Sequence, residues 1–325
     1  MLAMHIPDGF LDGPTSLVAG LVAIAGVAFC LRRTSQTLDE RDIPVVGLVA
    51  AFVFAAQMLN FPVANGTSGH LMGGVLAAVL VGPYAGALAV TVVLVVQALL
   101  FADGGLSALG LNVVNMALIG AFGGYGIFLL VRKLISSVPV AAGIAGFTAP
   151  VLAAIGFTLQ YAAGGNDAVS VGSLATAMIG VHLLIGIGEG IITALAVGSV
   201  MATRPDLVYG ARAVPRRLST PAFVGLGIVT AIVLVVFVAP FANPNPDGLE
   251  RVAADNGVDA AVTDHDLAGS PLAGYGVDGV DNAMFGTGLA GLVGIAATLA
   301  VGASIVWIVR RRRNPSAPPA AASTT

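Results

Sequence analysis

The chain has 325 residues, 57% of them hydrophobic and only 10% charged, with a formal net charge of -3. Its mean hydropathy is +0.95. Soluble domains carry about 25% charged residues, so a soluble domain is excluded, and no basic surface for nucleic acid is on offer. The single cysteine, Cys30, excludes an intrachain disulfide and a thiolate cluster.

Strands alternating with period two are absent, while apolar stretches close to the length of about 20 residues that crosses a bilayer recur. Only helices or closed barrels satisfy backbone polar groups in lipid, so the fold class is all-α, a polytopic helical membrane protein. The 43 glycines suit close helix packing there. The start, "MLAMHIPDGF", has no basic leader, and its first apolar run begins near Leu17, so no cleavable signal peptide is expected.

In chain order, nine apolar spans are predicted: 16–31, 43–61, 70–81, 84–101, 108–132, 138–162, 172–201, 221–241 and 285–309. The third is too short to cross upright and ends at Gly82-Pro83, so 70–101 reads as a broken pair. Arg32, Arg33 and Arg41 follow the first span, Arg132 and Lys133 the fifth, Arg204, Arg212, Arg216 and Arg217 the seventh, and Arg310 to Arg313 the ninth. That puts every basic residue except Arg251 on one side, which the positive-inside rule makes the cytoplasm. The N-terminus then lies outside and the C-terminus inside. Most acidic residues face outward and should attract cations. Residues 202–220 read as a cytoplasmic linker between a seven-span module, 4–201, and a two-span module, 221–309. The tail 310–325 reads as disordered.

His5 and His70 both lie at this outer face. His5 sits near the chain start, and His70 opens the third span after "FPVANGTSGHL". Thr67 or Ser68 is the expected cap of that helix. A helix N-terminus disfavours imidazolium, so a neutral, metal-ready His70 is expected, against the plain alternative of a surface histidine at a cap. Glu189 lies within the seventh span, with His182 two turns earlier on about the same face. Such buried groups either support a site or fix packing between helices. Asn112 and Asn115 enter the fifth span from outside and either reach the same pocket or bond neighbouring helices. Ala19 and Ala23 have small-residue spacing suited to close helix contact. In the outer loop of the last two spans, "PDGLE" at 246–250 marks a turn into a short helix ending near Asn256-Gly257. His265, between Asp264 and Asp266, reads mainly as part of a solvated acidic loop.

"MHIPDGFLD" at 4–12, "GTSGHLMGGVLAAVLVGP" at 66–83, "GGLSALGLNVVNM" at 104–116 and "IGIGEGIIT" at 185–193 resemble the substrate-binding membrane component of cobalt/nickel energy-coupling-factor (ECF) transporters. "PDGLE" and "SPLAGYG" at 270–276 resemble the small auxiliary component of the same transporters, here fused. The resemblance implies a metal site made by the amino group of Met4, the backbone and imidazole nitrogens of His5, and the imidazole of His70. Four nitrogens in a plane favour Ni(II) or Cu(II), and imidazole also suits cobalt. Binding would release protons and weaken in acid. Met1-Leu2-Ala3 precedes Met4, so a terminal amine there requires a start at Met4 or trimming of the extension. If Met1 is the start, His5 and His70 remain as ligands without the full chelate. The resemblance further implies a transmembrane coupling (T) component and two cytoplasmic ATPase subunits as partners, and an outer loop of the auxiliary module that assists loading or release.

The chain has no GxxxxGK[ST] phosphate loop, no serine nucleophile elbow and no HExxH. No enzyme activity and no cofactor is expected. Co(II) or Ni(II) would be bound as the transported substrate. A self-sufficient secondary metal permease, using the broken pair and Glu189, is the alternative. An intramembrane metalloenzyme built on His182 and Glu189 ranks last, for want of a third ligand.

Overall fold

The computed structural model describes residues 5–38, 43–64, 66–209 and 218–311. Met4, the linker stretch 210–217 and the tail beyond 311 lie outside the described residues. The chain is an all-α polytopic membrane protein. In order the helices are α1 (Gly13–Thr37), α2 (Ile43–Gln57), α3 (Gly74–Val81), α4 (Pro83–Phe101), α5 (Leu109–Arg132), α6 (Val138–Gly164), α7 (Val171–Thr203), α8 (Thr220–Phe241), α9 (Gly248–Asn256) and α10 (Ala283–Arg311). A two-residue hairpin, β1 (Phe61–Pro62) with β2 (Ser68–Gly69), closes the loop between α2 and α3.

Helix starts follow local chemistry. Asp12 accepts from Thr15 N at 2.8 Å, with a proline in the first turn of α1. Ser170 and Ser219 cap α7 and α8 in the same way. Asp247 and Glu250 form a reciprocal capping box on α9, which stops at left-handed Gly257.

Among the described residues, seven helices are long and apolar enough to cross a membrane, namely α1, α4, α5, α6, α7, α8 and α10. α2, at 15 residues, is about 22 Å long, shorter than a hydrocarbon core of about 30 Å. α3 has 8 residues and breaks from α4 at Gly82, whose φ of +84° leads directly into Pro83. The break falls where the sequence places it.

The start of α3 differs from expectation. The helix begins at Gly74, not at residue 70, and neither Thr67 nor Ser68 caps it. The Ser68 hydroxyl instead donates to the Asn245 carbonyl at 2.8 Å, and 70–73 is irregular. The physical reason lies far away in sequence: Glu189 of α7 takes the N–H groups of Met72 and Gly73 at 2.6 and 3.0 Å, doing the work of a cap. The tail also begins later than 310, because α10 continues to Arg311.

Packing places the site. Ala19 and Ala23 are buried within this chain, and α1 lies against α5 where Gly110 meets Gly20. The outer face of α1 presents Leu17, Val18, Leu21 and Ile24. α6 and α7 approach through Gly143 and Gly190, with no room for a side chain between them. α5 carries a π-helical stretch over Val113–Gly123, a feature that gathers at functional sites. At the far end, buried Arg204 forms a two-bond ion pair with Asp206 and also reaches Thr220, joining the end of α7 to the start of α8.

Candidate metal centre

The N-terminal segment 5–12 is held from both sides. The Asn112 amide exchanges two hydrogen bonds with the backbone of Ile6, each at 3.0 Å, as a neighbouring strand would. Gly105 N donates to Ile6 O at 2.9 Å. Asp8 receives the N–H groups of Leu106 and Ser107 and the Ser107 hydroxyl. Gly104, with φ +81°, lets the 103–105 loop pass against His5: a Cβ there would lie 2.8 Å from His5 Cβ. These contacts hold His5 over the mouth of the helix bundle, and it is 2% exposed.

The loop carrying His70 is fixed from below. Gln57 of α2 donates to Met72 O at 3.0 Å, and Glu189 binds the next two amides as described. His70 Nδ1 lies 3.1 Å from Leu71 O, so Nδ1–H donates there and Nε2 faces inward.

The two rings meet with centroids 5.6 Å apart and planes at 77°. Two imidazoles on one ion, each nitrogen about 2 Å from it, have ring centres about 4.5 Å apart in cis and about 6.3 Å apart in trans. The observed separation falls between those limits. Both ring nitrogens of His5 are buried without a hydrogen-bond partner. Such orphaned nitrogens suit a soft or borderline cation. Among the described residues no three His, Cys, Asp or Glu side chains already converge in metal-binding geometry.

The rings open into a cavity of about 80 Å³, lined by His5, His70, Asn115, His182 and Asp247 among others. His182 reaches the wall, but its Nδ1 is bonded to Met178 O at 2.7 Å, and Glu189 points away from it to the 72–73 backbone. Asn115 pairs with Gln160 of α6 through two hydrogen bonds, at 2.8 and 3.1 Å. Its sequence-level alternative, bonding a neighbouring helix, is thus the geometry present. His265 accepts from Leu267 N at 3.0 Å and does not line the cavity.

Two carboxylates that the sequence marked only as an outer acid and a turn residue stand beside the histidines. Asp103 Oδ1 is 3.1 Å from His5 Nδ1, off the line of a directed N–H bond. Burial alone would raise the Asp103 carboxyl, but its interaction with the neighbouring His5 and the hydrogen bond from Tyr275 outweigh it, and its pKa lies below its usual value. Asp247 Oδ2 is 3.7 Å from His70 Nε2. Burial disfavours a charged His70, yet Asp247 and the Leu71 carbonyl outweigh that, and its pKa rises to about 9. The neutral His70 expected from a helix start is thereby corrected: there is no helix at residue 70, and a carboxylate faces the ring.

Comparison with known proteins gives two adjacent matches. Residues 5–207 match the family described as "Cobalt uptake substrate-specific transmembrane region", and residues 221–311 match the PDGLE domain. A chain of Archaeoglobus fulgidus, provisionally named a fused nickel transport protein, NikMN, is 36% identical over 94% of this chain and 99% of its own length. The cobalt transport protein CbiM of Sorangium cellulosum is 38% identical over 63% of this chain and 94% of its own. A crystal structure of a truncated transition metal transporter superposes with a TM-score of 0.56 at 31% identity, covering 61% of this chain and 98% of that one.

Proposed function

Because the chain belongs to the cobalt-uptake substrate-specific transmembrane family and carries a PDGLE domain after it, we propose that it is the metal-binding subunit of an ATP-driven, ECF-type importer of divalent cobalt or nickel. The observation that carries this reading is the pair His5 and His70, buried ring to ring at 5.6 Å, with His5 Nε2 buried and without a hydrogen-bond partner. The ligands are the two imidazoles, the His5 backbone nitrogen and the amine of Met4, with translation beginning at Met4 or the extension removed. An amine, the next amide nitrogen and an imidazole form fused chelate rings around one ion, and the second imidazole completes a plane.

The remaining roles follow from what supports the two histidines. Asn112 holds the backbone next to His5, and Glu189 and Gln57 hold the backbone next to His70. Asn115 and His182 line the cavity. The chain has no phosphate loop, so ATP hydrolysis falls to separate cytoplasmic subunits, reached through a transmembrane coupling component. Capture takes place at the outer face, with the N-terminus outside and the C-terminus in the cytoplasm, as the basic residues favour. The metal-binding module is 4–201, the linker 202–220 and the auxiliary module 221–309.

The experiment is elemental analysis of the purified chain beside His5→Ala and His70→Ala. Each variant is expected to reach the membrane and lose its tightly held metal. Unchanged metal content in either would refute the ligand assignment. Metal uptake by vesicles lacking any ATPase would replace the ATP-driven mechanism with a self-sufficient permease.

A further inference from the structure

A cleft lies away from the metal centre, on the side of the bundle where α7 ends and α8 begins. It holds about 330 Å³ and is walled by Leu48 and Phe52 of α2, Leu80 of α3, Ala196 and Val200 of α7, and Leu226 of α8. It therefore runs along the seam between the segment 5–207 and the PDGLE domain. Gly227 of α8 closes one edge against α2, where a Cβ would lie 2.6 Å from Leu48 Cδ2. Leu226, on the rim, is exposed. The walls contributed by α2, α7 and α8 fall within 45–52, 196–203 and 223–230, so the cleft is about 10 Å long, roughly two thirds of one bilayer leaflet.

The wall offers water nothing to bind. Its hydroxyls belong to Ser199, Thr203 and Thr230, and each donates to a carbonyl of its own helix, Leu195 at 2.8 Å, Ser199 at 3.0 Å and Leu226 at 2.9 Å. An ordered water needs about two to four polar partners, so hydrocarbon is the filling that suits this space at membrane depth. The mouth, by contrast, is basic. Leu207 and Phe223 line the linker end of the cleft. Arg204 lies over the Phe223 ring, 5.7 Å from its centroid, held there by Asp206 and Thr220. Tyr209 N donates to Val79 O at 2.9 Å, beside Leu80. Between Tyr209 and Leu218 the sequence carries Arg212, Arg216 and Arg217 and no acid. None of these three is more than three residues from one of those ends, so chain length alone keeps their Cα atoms within about 11 Å of it. Arginines at a membrane surface favour anionic headgroups.

We propose that this cleft is a lipid-binding site: it takes one acyl chain of an anionic glycerophospholipid, with the phosphate at the linker arginines, and the lipid completes the seam between the two segments. The apolar walls select the chain and the basic linker selects the headgroup. Filling the cleft removes Leu80, Val200 and Leu226 from an unpacked edge and joins α8 to α7, which otherwise face each other across the gap. A ligand that binds only the folded chain also stabilises it by mass action, so the melting midpoint rises with lipid concentration. The site is independent of which groups hold the metal.

The test purifies the full chain in mild detergent, washes it extensively, and measures retained phospholipid by native mass spectrometry. Wild type is expected to keep phospholipid in equimolar amount. When phosphatidylglycerol and phosphatidylcholine of equal chain length compete, the first should be retained at least about tenfold better. Ala196→Phe places a ring inside the cleft and should lose the lipid. Replacing Arg212, Arg216 and Arg217 together with Gln should keep a bound phospholipid and abolish the preference for phosphatidylglycerol. Wild type free of lipid, or Ala196→Phe retaining as much as wild type, overturns the site. Equal retention of the two headgroups by wild type overturns the anionic assignment. Should Ala196→Phe fail to accumulate, a phosphatidylglycerol carrying a photoreactive acyl chain decides on wild type. Labelling of α2, α7 and α8 along the cleft supports the site, and labelling confined to the outer face of α1 overturns it.

Discussion

Glu189→Gln keeps the side chain's shape and removes its charge. The wild-type carboxylate accepts two backbone N–H groups, from Met72 at 2.6 Å and Gly73 at 3.0 Å, in a place with no exposed surface. Hydrogen bonds to a charged group contribute about 1.5–3 kcal/mol each. Glutamine offers one acceptor oxygen and turns an NH₂ toward the other N–H. One bond is kept in weaker form, and one buried donor is left facing a donor, which costs about 1–3 kcal/mol. The total expected loss is about 3 kcal/mol, and it falls on the four residues that carry His70 into the site. Thermal unfolding in detergent should show a lower midpoint. Ni(II) titration should show at least about tenfold weaker binding, the equivalent of about 1.4 kcal/mol. A variant with wild-type midpoint and wild-type affinity would refute the reasoning that this carboxylate replaces a helix cap.

Three further outcomes follow from the geometry of the site. With His70 raised to about 9 by Asp247, the ion must displace a proton from Nε2, which adds about tenfold per pH unit to the Ni(II) affinity up to that value, on top of the protons lost from the amine and the amide. Asp247→Asn should flatten this climb, and parallel curves for the two proteins would contradict the pairing. The apo protein should behave oppositely. A raised histidine pKa gives stability that is complete below 6.5 and lost as pH rises through about 9, which pH-dependent melting of the metal-free chain would show. Gly104→Ala should weaken both folding and metal binding, since φ is +81° and the new methyl would sit 2.8 Å from His5 Cβ. Wild-type metal content in that variant would show that the 103–105 loop does not hold His5.

Much of this architecture is legible locally. The break at Gly82-Pro83 follows from a glycine able to take positive φ and a proline that can only start a helix. The PDGLE helix runs from an acidic capping box to a left-handed Gly257, as its spacing implies. What was not legible depends on distant partners. Nothing near residue 70 says that its helix waits until Gly74, because the reason is a carboxylate more than a hundred residues away. Asp103 and Tyr275 are separated by 172 residues, so neither looks different from an ordinary loop residue until the fold joins them. Asn115 likewise bonds Gln160, 45 residues on, while it lines the cavity. The residues that favour a metal are written in short motifs, whereas those that hold them still are written across the whole chain.

X-ray absorption of the Ni(II)-loaded chain tests the central claim most directly, because imidazole rings give a distinct scattering pattern around the ion. The account predicts nitrogen ligands at about 2 Å with two imidazoles in wild type, and one when His70 is replaced. A spectrum with no imidazole, or one that His70→Ala leaves unchanged, would contradict it.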